Sequence, residues 1–502
     1  MPGGGPWLSR LVNEGTVRLS SAAGRWVMLA TVLGSSVAAL DTTVVNIALP
    51  TLADDLGAEM SGLQWTVNAY TLTLAGLILL GGSLGDRFGR RRIFVLGVVW
   101  FAVASALCAA APTIEVLVAA RALQGIGGAL LTPGSLAIIQ ASFAAYDRPR
   151  AVGAWAGLGG VAGAVGPFLG GWLIDVAGWR SVFLINLPLA VVTVLVALRH
   201  VPESSGDRTA GRFDVLGAAL AAVSLTGITY ALTELPAGRV DPLIIGSAVA
   251  GVLTAVWFVL VERRRTRAAA PRAMLPLDVF GSAQFTMINL ITLVVYGGLS
   301  LMIFLLVVHL QLVAGFSPIL AGAALLPVTA LMLLLSARAG DLAQRYGPRL
   351  MMAGGITVGA VGMLLLARIG PGAHYLVDVL LPVTVFGLGL TATVAPLTAT
   401  VLATAEVRHA GVASGVNNAV ARAAGLLAVA AVPPAVGLTG NALDDPAGFA
   451  AGFRLAMVVG AALLLAGAVL SLVGIRGNVL RSAEPEPESE PAPAPEPSTD
   501  PR

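Results

Sequence analysis

The chain has 502 residues, is 57% hydrophobic and 11% charged, and carries a formal net charge of +3. A water-soluble protein of this length needs far more surface charge, so a soluble globular fold is excluded. All 30 basic residues are arginine, which together with the abundance of alanine and glycine reads as codon bias rather than function. The single cysteine, Cys108, lies inside an apolar run and reads as a small residue facing lipid or another helix.

The first 25 residues are polar and glycine-rich, and no cleavable leader is expected. The first apolar run is long enough to span a membrane and remain as an anchor. A spanning helix takes about 20 mostly apolar residues. Runs of that kind lie near 26–49, 65–84, 93–111, 114–139, 151–173, 181–199, 214–233, 243–261, 284–310, 318–337, 351–368, 375–400, 411–432 and 452–474, about fourteen in all. Trp26, Trp65, Trp172, Trp179 and Trp257 fall near run ends, where interfacial tryptophans belong. Loops on one side of the membrane hold eighteen arginines, and loops on the other hold four, Arg180, Arg239, Arg368 and Arg454. That asymmetry places the arginine-rich side and both termini in the cytoplasm. The tail at 484–502 alternates proline with glutamate and alanine and is expected to be disordered.

A short motif occurs twice. Residues 82–91 read Gly-Ser-Leu-Gly-Asp-Arg-Phe-Gly-Arg-Arg, and residues 340–349 read Gly-Asp-Leu-Ala-Gln-Arg-Tyr-Gly-Pro-Arg. Repetition half a chain apart in so apolar a protein points to two repeated halves and hence to transport. Gly85 and Gly89 permit a tight turn, Asp86, Arg87, Arg90 and Arg91 can latch neighbouring helix ends, and Gly82 belongs with them to a candidate cytoplasmic gate. The second copy keeps Arg345 and Gly347 but has Gln344 where the first has Asp86. It is the weaker latch of the two.

Inside the spans, charge is rare and costly, so each case is a candidate site. Asp41 lies in the first span, within 40–50 (Leu-Asp-Thr-Thr-Val-Val-Asn-Ile-Ala-Leu-Pro). A carboxylate at this depth can bind a proton near neutral pH or contact a cation; the bland alternative is a structural hydrogen bond helped by Thr42, Thr43 or Asn46. Arg121 in the fourth span needs a partner or a wet cavity, and Asp41 and Gln124 are nearest in depth. Its charge is expected to compete with the proton for the carboxylate. In the fifth span, Gly159 with Gly163 and Gly166 with Gly170 stand four apart beside Pro167 and Gly171, which suits a hinge or sliding seam. In the second half, His309, Gln311, Asn417 and Arg422, with Asn46 and Gln124 of the first, are candidate cavity residues. No nucleotide-binding loop, zinc-ligand spacing or nucleophile arrangement is found. The chain is expected to be no enzyme, to need no cofactor, metal or ATP, and to bind no nucleic acid.

Together these stretches resemble the major facilitator superfamily, and more narrowly its fourteen-span drug:proton antiporters. The resemblance runs from about residue 26 to 474. It rests on 82–91 between spans two and three, 40–50 in span one, 121–128 in span four, 157–171 in span five, 179–188, and 311–327 with Ser317-Pro318 and Leu326-Pro327. It implies a six-helix bundle at 26–199, two additional helices within 200–283 and a second bundle at 284–475, flanked by cytoplasmic segments 1–25 and 476–502. It further implies alternating access, with proton entry driving small hydrophobic organic cargo out of a bacterial cell through the plasma membrane. By analogy Asp41 carries the proton, Arg121 tunes it and Asp86 belongs to a cytoplasmic gate. A monomer is expected. Export of one endogenous metabolite or lipid by the same mechanism is the alternative; a membrane-embedded enzyme or a sensor lacks the required polar cluster or soluble domain.

Overall fold

In the computed structural model, residues 17–144, 146–204, 214–234, 241–267, 277–404 and 410–480 are described. The segments 1–16 and 481–502, and Arg208, Arg212, Arg272 and Arg408, lie outside them. The described chain is helical: α1 (Ala22–Leu56), α2 (Met60–Phe88), α3 (Arg90–Ala109), α4 (Ile114–Ser142), α5 (Arg148–Ala177), α6 (Ser181–Leu184), α7 (Asn186–His200), α8 (Val215–Glu234), α9 (Pro242–Arg267), α10 (Ala283–Leu312), α11 (Pro318–Ala323), α12 (Leu326–Tyr346), α13 (Pro348–Leu366), α14 (Leu380–Ala403), α15 (Ala410–Ala435) and α16 (Pro446–Gly474). Helices α6 and α7 form one span, as do α11 and α12, and α2 bends by 49° near its middle. With α2 counted as one span, the described residues hold fourteen helices long and apolar enough to cross a membrane. Several helices, α1, α2, α9 and α16 among them, outrun their apolar runs by one or two turns at one end or both. Apolarity marks only the part in hydrocarbon, whereas backbone hydrogen bonding continues until a cap stops it. In α1 the start is set by Ser21, whose hydroxyl accepts from Gly24 N, and the stop by Gly57 in the left-handed conformation.

Helices α1–α7 pack among themselves, as do α10–α16. Lipid offers no hydrophobic gain for helix association, so close backbone approach must supply it. The pairs α3/α4 and α13/α14 hold corresponding places in the two halves, and both are glycine-seated. A Cβ on Gly127 of α4 would lie 2.7 Å from the Phe101 nitrogen of α3, and one on Gly389 of α14 would lie 2.2 Å from the Gly359 nitrogen of α13. The additional pair α8/α9 attaches through α8, which packs on α2 and α15. Trp65 Nε1 of α2 donates to Glu234 Oε1 at 2.9 Å. Helix α9 lies outermost, with Leu243, Val252, Leu253 and Trp257 exposed for lipid. At its end Arg265 pairs with Glu262 at 3.2 Å and with Asp214 ahead of α8.

The repeated motif forms the same turn twice. One glycine separates α2 from α3 and another separates α12 from α13; Gly89 has φ of 109° and Gly347 has φ of 88°. Side chains rarely adopt that conformation, which is why both copies keep glycine. Each turn is held within its own half. In the first, Asp86 pairs with Arg90 at 2.9 Å, and Glu203, just beyond α7, accepts from Arg91 N at 3.1 Å and faces the Arg91 and Arg92 guanidinium groups at 3.5 and 3.6 Å. Arg91 Nη1 also donates to Val201 O. In the second, Ser471 Oγ donates to Arg349 O at 3.1 Å and the Gly477 carbonyl packs on Gly347. Asp86 thus braces the turn it belongs to. Glu203, outside the motif, joins that turn to the end of the bundle.

Candidate functional site

Because the number of spans is even, α1 begins and α16 ends on one face of the molecule, the terminal face. Asp41 sits in the middle of α1 with its carboxylate fully buried. Arg121 Nη1 donates to Asp41 Oδ2 at 2.6 Å, while Gln124 Nε2 and Asn186 Nδ2 donate to Oδ1 at 2.7 and 3.1 Å. Arg121 and Gln124 stand three apart on α4, so they share the face turned to α1, and Gln124 Oε1 accepts a second Arg121 hydrogen bond. Arg121 Nε donates to Thr66 O of α2 at 3.0 Å, and its guanidinium lies 4.4 Å from the Tyr70 ring centroid and 5.9 Å from that of Phe183. From α3, Ser105 Oγ accepts from Gln124 and Asn186 at 2.8 and 3.3 Å, and the Cys108 thiol lies 3.7 Å from Gln124 Oε1. Helices α1, α2, α3, α4 and α7 therefore meet at one carboxylate.

This geometry compensates a negative charge where water is absent. Three donors converge on Asp41, one of them a cation, and the guanidinium spends its remaining capacity on a carbonyl, an amide and a ring face. Removing one partner from such a buried pair costs about 3–5 kcal/mol, because the other charge stays buried. The pair ties α1 to α4, so loss of either charge loosens that packing. Sequence reasoning left Ser105, Asn186, Tyr70 and Thr66 out of this site. The signal for Asn186 and Ser105 was the one that exposed Asp41, a polar residue inside an apolar span.

Other candidates lie elsewhere. Asn46 donates to Thr42 O of its own helix at 2.8 Å. His309 is walled off from any cavity: its Nε2 meets Ile369 O at 3.0 Å and its ring stacks on Phe453 at 3.9 Å, so it packs α10 against α16. Asn417 of α15 donates to Asn289 Oδ1 and Thr292 Oγ1 of α10 at 3.1 and 2.7 Å. Arg422 bonds Asn418 of its own helix at 3.2 Å and is partly exposed.

The halves close on the face opposite the termini. Gln311 Nε2 of α10 donates to Ile47 O of α1 at 2.9 Å, Gln64 of α2 donates to Val429 O of α15, and Met60 N bonds Gly440 O at 3.2 Å. Between α5 and α11 the seam is backbone on backbone. A Cβ on Gly322 would lie 2.1 Å from Pro167 O, and one on Gly171 would lie 2.4 Å from Ile319 Cα. Gly166 and Gly170 seat α5 on Thr43 and Val44 of α1. The terminal-side half of α5 is different. A Cβ on Gly159 or Gly163 would meet nothing within 4 Å, and no described residue between 152 and 165 is buried. The five-helix glycine run is thus a seam at 166–171 and a free wall at 159–163. A cavity of about 730 Å³ on the face opposite the termini lies between the halves, lined by Asp54 and Glu59 of the first and by Gln311, Pro318 and Asp444 of the second. Among the described residues, the contacts between the halves at Gln311, Gln64, Met60, Gly171 and Gly322 lie on that face.

The model of the Major Facilitator Superfamily matches residues 31–430. The chain belongs to that superfamily. It is 35% identical over 422 residues to the methylenomycin A resistance protein of Bacillus subtilis (strain 168), covering 83% of this chain and 89% of that one. It is 36% identical over 412 residues to the probable actinorhodin transporter of Streptomyces coelicolor, covering 79% of this chain and 70% of that one. Among solved structures, an inward-facing, unoccupied bacterial homologue of the human lysosomal transporter Spinster superposes with a TM-score of 0.64 at 16% identity, covering 93% of this chain and all of that one. The superfamily member described here is a multi-pass membrane protein of transporter fold.

Proposed function

We propose that the protein exports hydrophobic antibiotics or other toxic organic compounds across the bacterial plasma membrane in exchange for protons. The observation that carries this reading is the fully buried Asp41–Arg121 pair in one half of a molecule whose halves meet on the face opposite the termini. A resistance protein and a resistance and export protein among the relatives support export as the direction. The eighteen-to-four arginine asymmetry of the sequence supports a cytoplasmic terminal face. In the present conformation cargo enters from the cytoplasm while Asp41 is paired with Arg121. Parting of the α5–α11 seam opens the other face, cargo leaves, and Asp41 takes up a proton that displaces Arg121. Return to the present state delivers that proton inward and restores the pair.

The test is efflux of a panel of dyes and antibiotics from cells expressing the protein, with and without a protonophore. Efflux that stops when the gradient collapses supports the reading; efflux insensitive to the protonophore overturns proton coupling. The same panel separates a broad exporter from one dedicated to a single endogenous metabolite, a second reading favoured by the relative named as the probable transporter of one compound.

A further inference from the structure

Arg422 is a cation at membrane depth whose only hydrogen bond among the described residues is to Asn418, one turn back on α15. Among the described residues it has no carboxylate partner, and it is partly exposed although it lies twelve residues inside its helix. An intramembrane arginine without a counter-ion belongs in a polar cavity. Its position along the fold follows from the closed seam. Helices α2 and α15 run antiparallel and touch where Gln64 bonds Val429 O. Six residues along α2 toward the cytoplasm stands Tyr70, about 9 Å away, and seven residues back along α15 stands Arg422, about 10.5 Å away. The two therefore lie at one depth on the cytoplasmic side of the seam, within electrostatic reach of each other. The Tyr70 side chain is almost wholly buried, and its hydroxyl has no well-formed hydrogen bond. Tyr70 is thus sealed inside its own half against α4, and at this depth Arg422 is the group left partly exposed. The neighbouring charges cannot neutralise Arg422, because Asp41 is consumed by Arg121, Gln124 and Asn186.

We propose that Arg422 binds an organic anion, so that the cargo of the central cavity carries a carboxylate, which supplies the counter-charge Arg422 lacks. The guanidinium offers paired donors that match the two oxygens of a carboxylate. This rests on the export reading above and narrows it from hydrophobic compounds in general to hydrophobic acids.

The experiment uses the full-length protein in detergent and in cells, with ring-matched probe pairs, each an aromatic carboxylic acid and its methyl ester; rhodamine 110 and rhodamine 123 are one such pair. Binding is followed by fluorescence anisotropy. Wild type is expected to hold the acid about tenfold more tightly than the ester, the worth of a charge-assisted hydrogen bond. Arg422→Gln is expected to erase that difference and Arg422→Lys to restore part of it. No preference for the acid in any pair, or a preference that survives Arg422→Gln, overturns the proposal. Efflux of the esters by wild-type cells, with and without protonophore, reads the export function separately. Ester efflux without acid preference defeats this proposal alone, whereas absence of efflux for every probe defeats the export reading.

Discussion

The first helix of each half carries its polar residues differently. In α1, Asp41 is tied to Arg121, Gln124 and Asn186 through a buried ion pair, whereas in α10, Asn289 and Thr292 are tied to Asn417 by neutral hydrogen bonds. The turns on the terminal face differ too. Gly89 is surrounded by Asp86, Arg90, Arg91 and Glu203, whereas Gly347 has the Gly477 carbonyl against it and Arg345 and Arg349 beside it in the chain. Turn geometry and helix pairing are common to both copies because the fold requires them. Among the described residues an ion pair buried at membrane depth occurs in the first half and not in the second, and buried charge is expensive in lipid. The largest consequence is at Asp41. Asp41→Asn preserves shape but leaves Arg121 buried without a carboxylate, and should cost about 3–5 kcal/mol as well as proton-driven efflux. The double variant Asp41→Asn with Arg121→Gln should regain most of the stability and none of the efflux, read by thermal unfolding of the purified protein beside dye efflux. Wild-type efflux by the single variant would break the contrast between the halves.

The next effect lies where the halves meet. The seam is close only because Gly322 and Gly171 present bare backbone to Pro167 and Ile319. Gly322→Ala places a methyl group against a carbonyl that cannot rotate away. Overpacking of this kind costs about 1–3 kcal/mol, enough to move a two-state population about 5- to 150-fold. The variant should open the face opposite the termini. A cysteine placed at Ala321, buried in the seam, in a Cys108→Ser background, should then react faster with an impermeant maleimide added outside. Gly159→Ala, on the free wall of the same helix, should leave that rate unchanged. Equal rates in the two variants would erase the distinction between seam and wall.

Much of this was legible in the sequence. Lipid forces apolar runs of fixed length, so the spans stand out, and the cost of burying charge makes Asp41 and Arg121 stand out against them. The repeated glycine turn was legible because positive φ leaves few other residues available. Three things were not. Helix ends lie outside hydrocarbon and are set by local caps. His309 looked like a cavity residue because sequence gives its depth but not its azimuth, and α10 turns it onto Phe453. The bracing of the first turn by Glu203 joins residues 112 apart, and no local spacing signals it.

The neutral network allows a sharper test than the charged one. Asn417→Ala removes two hydrogen bonds between α15 and α10, each worth about 1 kcal/mol, but no titratable group. It should lower the unfolding temperature while leaving the pH profile of efflux unchanged. Arg121→Gln should shift that profile, since the competitor for the Asp41 proton is gone. A shifted profile in Asn417→Ala would show that proton coupling extends into the second half.

The smallest expected effect concerns the turn at Gly89. Glu203 is partly exposed, and its contacts to Arg91 and Arg92 are long, at 3.5 and 3.6 Å. Ion pairs of this kind contribute about 0.2–1 kcal/mol and are screened by salt. Glu203→Gln keeps an acceptor for Arg91 N and loses only the charge, so the unfolding temperature should fall slightly at low salt and the difference should vanish at high salt. If the turn is a brace, protonophore-sensitive efflux stays at the wild-type rate, because Asp86 and Arg90 still hold the glycine. If it is instead a latch that must release in each cycle, weakening it changes the efflux rate with no change in stability. Parallel measurement of the unfolding temperature and the efflux rate at two salt concentrations therefore decides whether the copy of the repeat with Asp86 differs from the copy with Gln344 in stability alone or in function.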